Sequence, residues 1–482
     1  MAGAARLHQV HSPRRAGHYP LRAGGSMPTA HTKSTSALRP YLWLVLIVAV
    51  FAGVSYGGGQ QILAHLASLE DAPSAPTLAS LVLFAVCSFA SFYATRGTPI
   101  PSFVLAIALG MAGHTLFAPI VADAKLLGAL VTGCAAIILF SGGLEMPLSH
   151  FLRLLAKIAL LALPGVLLTG FAFSWVTGQA GMAFGLPLAP AAVILLGAIL
   201  ASTDPAAIIP VLQTVEFKRR DAKDIVVAES ALNDVAGTLL TSAFLKLSLA
   251  GLTVAAAYEA LATPATLMFL GQQVGFGFLF GAAGYLLLWI LTHMKRGHAA
   301  RYGADQVYFL ATPILAFVGA AAFGGSGFLA AFVAGLLFHI EDHLKDVERF
   351  FYHVIDGVAK PVIFLLVGAL VDLHALIVYA PLGISAGLIF MFVLRPAMVF
   401  LLLGPFARVP LGSGGLSVRE LLFISFVRET GAIPAVLLVT AVAVLPGPHQ
   451  GLVEVGMWVI LLTLVIAPPL TPWVARRLDL VG

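Results

Sequence analysis

The chain has 482 residues, 60% of them hydrophobic and only 10% charged, where a soluble globular protein carries roughly a quarter charged residues. A mean hydropathy of +0.98 and uninterrupted apolar stretches of about 20 residues define an all-α polytopic membrane protein, because barrel strands would alternate in segments of about ten. A soluble enzyme, a secreted disulfide scaffold and a nucleic-acid binder are excluded, and the net charge of +5 first reports the loop charges that orient the chain.

Residues 1–40 carry Arg6, Arg14, Arg15, Arg22, Lys33 and Arg39 with no Asp or Glu, and read as a disordered basic tail. A signal peptide would have its apolar core nearer the start, and Met27 is an alternative initiator. Fourteen candidate helices follow, at 41–66, 76–95, 100–118, 125–147, 152–176, 188–213, 223–248, 264–293, 305–323, 325–340, 357–379, 382–405, 417–443 and 452–474. Cys87 and Cys134 each sit inside an apolar run, without metal or redox spacing, and are packing residues.

Loop charges test this count, since Lys and Arg collect on the cytoplasmic side of alternate loops. With the amino terminus inside, the six tail charges, Arg96, Arg153, Lys157, Lys218, Arg219, Arg220, Lys223, Lys295, Arg296, Arg301, Lys345, Arg349, Arg408, Arg419, Arg476 and Arg477 all fall on the cytoplasmic side. Lys125 and Lys246 fall outside; Lys360, Arg395 and Arg428 lie within helices. The bias supports fourteen spans with both termini in the cytoplasm, and hence a multi-pass inner (plasma) membrane protein.

Five acids stand at membrane depth, where each costs several kcal/mol and asks for a partner and a purpose: Glu145, Asp204, Glu229, Asp234 and Glu429. Asp204 lies in ASTDPAAIIP, where Pro205 and Pro210 interrupt a long apolar helix. The next span reads VVAESALNDVAGTLL, placing Glu229 above Asn233 and Ser230 above Asp234 on adjoining helix faces. Gly237 leaves room for another helix to approach. A second interruption comes at FVRETGAIPAVLL, where Arg428, Glu429, Thr430, Gly431 and Pro434 occupy the middle of an apolar run. By the loop count the two interrupted helices run in opposite directions, one in each half of the chain. Inverted-repeat transporters build a midplane site from half-helix ends in this way.

TDP followed some thirty residues later by ESxxND, with an Arg in a late broken helix, resembles the monovalent cation:proton antiporters of the bacterial NhaP and animal Na+/H+ exchanger type. The helix layout is similar over nearly the whole chain, with one helix more at the front than the thirteen usual in bacterial members. The resemblance implies an inverted-repeat antiporter fold with two crossed broken helices. It also implies cation contacts at Asp234, Ser230 and Thr203, with Asp204 and Asn233 facing one another and Glu229 paired with Arg428. Two positions depart from the family pattern. FSGG stands where FEGG is common, so Ser141 replaces a carboxylate and Glu145 follows one turn later. RETGA stands where LRGA is common, and alignment on Gly431 and Ala432 puts Thr430 at the arginine position. Glu429 is an alternative partner for Arg428, and Glu145 an alternative interface residue.

The implied organisation is a scaffold of residues 41–147, core repeat one at 152–248, a linker helix at 264–293, scaffold and dimer helices at 305–379, and core repeat two at 382–474, in a homodimer. A carboxylate in a cavity holds either a proton or a monovalent cation, and burial favours its protonated form. Competition at Asp234 then couples the two ions by alternating access. Asn233 cannot ionise and Glu229 is held charged, so the expected exchange is electroneutral. No cofactor is called for, because the ions are cargo. A second function class rests on Gly324, Gly325, Ser326 and Gly327, a GxSG serine-protease motif. His339 falls at the far end of the next helix, too distant for a proton relay at about 1.5 Å per residue. A cation channel is the third reading, disfavoured because paired broken helices suit alternating access.

Overall fold

The computed structural model describes residues 39–481 except 70–73, 97, 99–100, 146, 204–211, 213–215, 220, 248, 250, 294–302, 339, 341–343, 408–414 and 446–450. The predicted basic tail up to residue 38 and Asp204 therefore lie outside the described residues. The described elements are helical: α1 (Arg39–Ala67), α2 (Ala75–Ala94), α3 (Ser102–Ala112), α4 (His114–Val121), α5 (Ala124–Leu144), α6 (Leu148–Ala162), α7 (Pro164–Ala183), α8 (Pro190–Leu200) and α9 (Asp221–Lys246). There follow α10 (Val254–Ala260), α11 (Pro264–His293), α12 (Gly303–Ala322), α13 (Gly327–Leu337), α14 (Lys345–Val354), α15 (Lys360–Leu370) and α16 (Leu373–Val378). The last are α17 (Ala380–Ile389), α18 (Arg395–Leu403), α19 (Val418–Phe426), α20 (Ala432–Val444) and α21 (Leu452–Arg477).

Each of the fourteen candidate segments contains described helix. Among the described residues, eight helices are long and apolar enough to cross a membrane, or nine if the bent pair α3 and α4 is one span. The candidate at 100–118 is not one continuous helix: it bends by 89° at Gly113, where an added Cβ would strike the rings of Phe117 and Phe51. The eleventh candidate starts earlier than hydropathy suggests, at Lys345 instead of residue 357. Its charged first turns are amphipathic, with Val347, Phe351 and Ile355 buried at four-residue intervals. A π-helical turn at Ile355–Ala359 joins α14 to α15.

Apolar side chains such as Val45, Val82, Met268 and Trp473 remain more than half exposed, as expected where lipid instead of water is the solvent. Inside, helices meet backbone to backbone. Gly143 of α5 and Gly335 of α13 abut so closely that a Cβ on either would run into the other helix's main chain. The Gly277 and Gly281 notch of α11 is filled by Leu329 and Val333 of α13. Ser326, the serine of the GxSG motif, caps α13 by accepting the Leu329 N–H at 3.2 Å, which gives it a structural role; His339 lies outside the described residues.

Charged residues from distant parts of the chain meet in one surface network. Arg153 and Arg219 approach Asp221 at 3.8 and 2.9 Å, and Arg219 lies 3.5 Å from Glu420. Lys218 and Arg419 both reach Asp479, at 2.6 and 3.1 Å. Hydrogen bonding and charge from Lys218 hold the Asp479 carboxyl below the usual carboxylate range. The chain end pairs with the same loop, through Lys218 N–H to Leu480 O at 2.9 Å and a bridge between Phe217 and Val481.

Candidate functional site

The site forms where two helices stop. α8 is apolar to Leu200 and gives way at Ala201–Thr203, ahead of the proline at position 205 in the sequence. The other helix is α19, which ends at Phe426; Val427–Gly431 are non-helical before α20 begins at Ala432. α8 packs on α20 and on α21, and α9 packs on both α19 and α20, so the two breaks cross.

Thr203, Ser230, Asn233 and Asp234 are all nearly fully buried there. The Thr203 N–H donates to Asn233 Oδ1 at 2.9 Å, and Asn233 Nδ2 donates to Thr203 Oγ1. The Ser230 hydroxyl donates to the Thr203 carbonyl and lies 3.4 Å from its Oγ1. Hydroxyl, carbonyl and amide oxygens are thereby collected one turn from Asp234, which follows Ser230 by four residues on α9. These are hard oxygen donors of the kind an alkali cation takes. The close approach depends on Gly237, whose substitution would place a Cβ 2.7 Å from Ser202 Cβ. Gly237→Ala is therefore expected to displace Ser202 and Thr203 and to lower stability by about 1–3 kcal/mol through overpacking; thermal unfolding measures it.

Glu229 is the point where the expectation fails. Its carboxylate is gripped by Arg395, not Arg428: Nη1 donates to Oε1 at 3.1 Å and Nη2 to Oε2 at 2.9 Å. Glu229 and Arg395 are 2% and 3% exposed, and Oε1 also accepts from Asn233 Nδ2 at 2.8 Å. Fork-to-fork geometry gives such a pair its strength and direction. Arg395 follows a π-helical turn, Phe390–Leu394, and opens α18 ahead of Pro396; a π turn re-aims a side chain and recurs at functional sites. The available signal was an arginine deep in an apolar span, already conspicuous among the basic residues assigned to helices.

Arg428 has a different task. Its Nη2 donates to the carbonyls of Leu200 and Ala201 at 3.3 and 2.6 Å, and its guanidinium lies 4.3 Å from the centre of the Phe390 ring. A cation at a helix carboxyl end is favoured by the macrodipole, so Arg428 caps α8 from the opposite break. Thr430, which aligns with the family arginine, instead meets Thr463 of α21. Glu429 is buried at the same break. Ser141 is buried in the last turn of α5, and Glu145 is half-buried just after it; the neighbouring Gly142 faces Ala231 of α9.

Two crossed, interrupted helices with buried charges at the crossing are the inverted-repeat antiporter fold. The chain belongs to the sodium/hydrogen exchanger family, whose transmembrane region, "Sodium/hydrogen exchanger, transmembrane", matches residues 81–477. It is 30% identical over 371 residues to the K(+)/H(+) antiporter NhaP of Alkalimonas amylolytica, covering 74% of this chain and 58% of that one. It is 28% identical over 378 residues to the K(+)/H(+) antiporter NhaP2 of Shewanella sp. (strain ANA-3), covering 77% and 61% respectively. The chain thus spans about three-fifths of the length of these two relatives. In fold it is similar to the sodium proton antiporter MjNhaP1 of Methanocaldococcus jannaschii, with a TM-score of 0.61 and 22% identity, covering 83% of this chain and 100% of that one.

Proposed function

We propose that this chain exchanges a monovalent cation, Na+ or K+, for H+ by alternating access, with the two ions competing at Asp234. The observation that carries the reading is the oxygen cluster of Thr203, Ser230 and Asn233 at the first break, one turn from a buried carboxylate. The cation's ligands are Asp234, Ser230 and Thr203. A proton or a cation each neutralises Asp234, and the site crosses only when neutral. Glu229 and Arg395 cancel one another, and Arg428 faces the negative end of α8; neither changes charge in the cycle. The K(+)/H(+) names of the similar antiporters put K+ first among the ions to test.

In this reading the segments 152–248 and 382–474 move as a core against a scaffold of 41–147 and 305–379, with 264–293 as linker. The protein is a homodimer in the plasma membrane with both termini in the cytoplasm. The deciding experiment is cation-dependent collapse of a pH gradient in proteoliposomes, with Na+, K+ and Li+ in turn; a folded protein that collapses it with none of them is not an antiporter of these ions. Exchange is expected to be electroneutral. Its rate should not change when a thiocyanate gradient imposes a membrane potential. A rate that tracks the potential would mean that a second acid, with Glu429 or Glu145 the first suspects, carries a proton as well.

A further inference from the structure

The two halves of the chain contain the same small joint, and only in the first does the partner residue stand between acids. In the first half, Thr203 lies three residues past the end of α8, and its N–H and Oγ1 both bond to Asn233 of the next span. In the second half, Thr430 lies four residues past the end of α19. Its N–H donates to Thr463 Oγ1 at 3.1 Å, and the two hydroxyls meet at 2.6 Å. Thr463 is on α21, again the next span, and both threonines are fully buried. The separations along the chain are 30 and 33 residues. What differs is the company. Asn233 is preceded by Glu229 four residues earlier and followed by Asp234, whereas the same places around Thr463 hold Val459 and Leu464.

Proton bookkeeping fixes the direction of each bond in the second joint. Thr463 donates its one hydroxyl proton to the Ile460 carbonyl at 3.0 Å, so Thr430 supplies the proton between the two hydroxyls. Thr463 Oγ1 therefore accepts both the N–H and the O–H of Thr430, which fills its two lone pairs. This holds the second break in one conformation, and Arg428, two residues before Thr430, is thereby aimed at the carbonyls of Leu200 and Ala201. We infer that Thr463 is a positioning residue for transport: the Thr430–Thr463 joint is the uncharged counterpart of the Thr203–Asn233 joint, and it keeps Arg428 on the carboxyl end of α8 while the core moves. This rests on the antiport reading given above.

Because Thr463 touches no cargo ligand, its loss should fall on the rate and not on cation affinity. Thr463→Val removes both acceptor positions at nearly constant shape. Thr463→Ser keeps them, and Thr463→Asn copies the first joint, with Oδ1 able to accept from Thr430. Purified wild type and the three variants are compared in proteoliposomes for maximal exchange rate and cation half-saturation, and by hydrogen exchange at the Thr430 amide. Expected are a loss of rate of about tenfold or more in the Val variant with half-saturation unchanged, faster exchange at that amide, and recovery of both in Ser and Asn. A folded Val variant with wild-type rate overturns the inference. So does an unchanged Thr430 amide, a result that is read even if the wild type moves no cation, in which case it is the antiport reading that fails. If Thr463→Val does not fold, Thr463→Asn decides, and a folded Asn variant at under a tenth of the wild-type rate rejects the joint.

Discussion

Asp234→Asn is expected to abolish the proposed exchange and to leave a folded protein. Asp234 is 4% exposed, one turn from Ser230 and next to Asn233. The amide keeps the shape of the side chain but can neither take up a proton nor neutralise a cation. Flux in proteoliposomes should fall by about two orders of magnitude or more, to the leak of the vesicles, because a cation left without a countercharge at membrane depth is expelled. Stability should move the other way or not at all, since a buried amide costs less than a buried carboxylate that must ionise. Size-exclusion profile and melting temperature check that half of the expectation. Substantial exchange by a well-folded Asp234→Asn protein would end the mechanism, and a protein that does not fold would make Asp234 a structural residue.

Helix periodicity and the breaker residues made most of the fold legible. Hydropathy located the spans because lipid admits only segments that satisfy their own backbone. Pro205 and the RETGA run marked the places where they do not. The arrangement within α9 was legible too, because residues four apart on a helix must stack: Glu229 with Asn233 and Ser230 with Asp234 follow from spacing alone. Gly237 was legible as a gap for another helix, but not that Ser202 fills it. What spacing cannot supply is a partner from a distant helix. Arg395 lies 166 residues from Glu229, and nothing local distinguishes it from Arg428 as an intramembrane cation. Their roles are set by a π turn that aims one and by an α8 carboxyl end that claims the other. The bend at Gly113 was missed for a related reason, since Gly113, His114 and Thr115 are too few among apolar neighbours to interrupt the hydropathy profile.

The assignment of Arg395 can be tested against its rival by double-mutant cycles. Removing either member of the Glu229 and Arg395 pair leaves a buried charge without its counterion and should cost roughly 3–5 kcal/mol in reversible unfolding. Removing both at once, as Glu229→Leu with Arg395→Met, discards the charge and its penalty together. The double variant should therefore be far more stable than the sum of the singles predicts, by about 2 kcal/mol or more. Glu229 with Arg428 behaves differently. Arg428→Ala leaves two carbonyls that each lose one donor, a penalty of about 1–3 kcal/mol set mainly by those carbonyls and only secondarily by the nearby Glu229 charge. Its coupling to Glu229 should be the smaller of the two. Equal couplings, or a larger one for Arg428, would return that arginine to the ion pair. Transport in the stable double variant separates stability from function, because Asn233 loses the Glu229 oxygen that holds its amide at 2.8 Å. If that bond helps to fix the Thr203 joint, the double variant should melt near the parent and still exchange cations slowly.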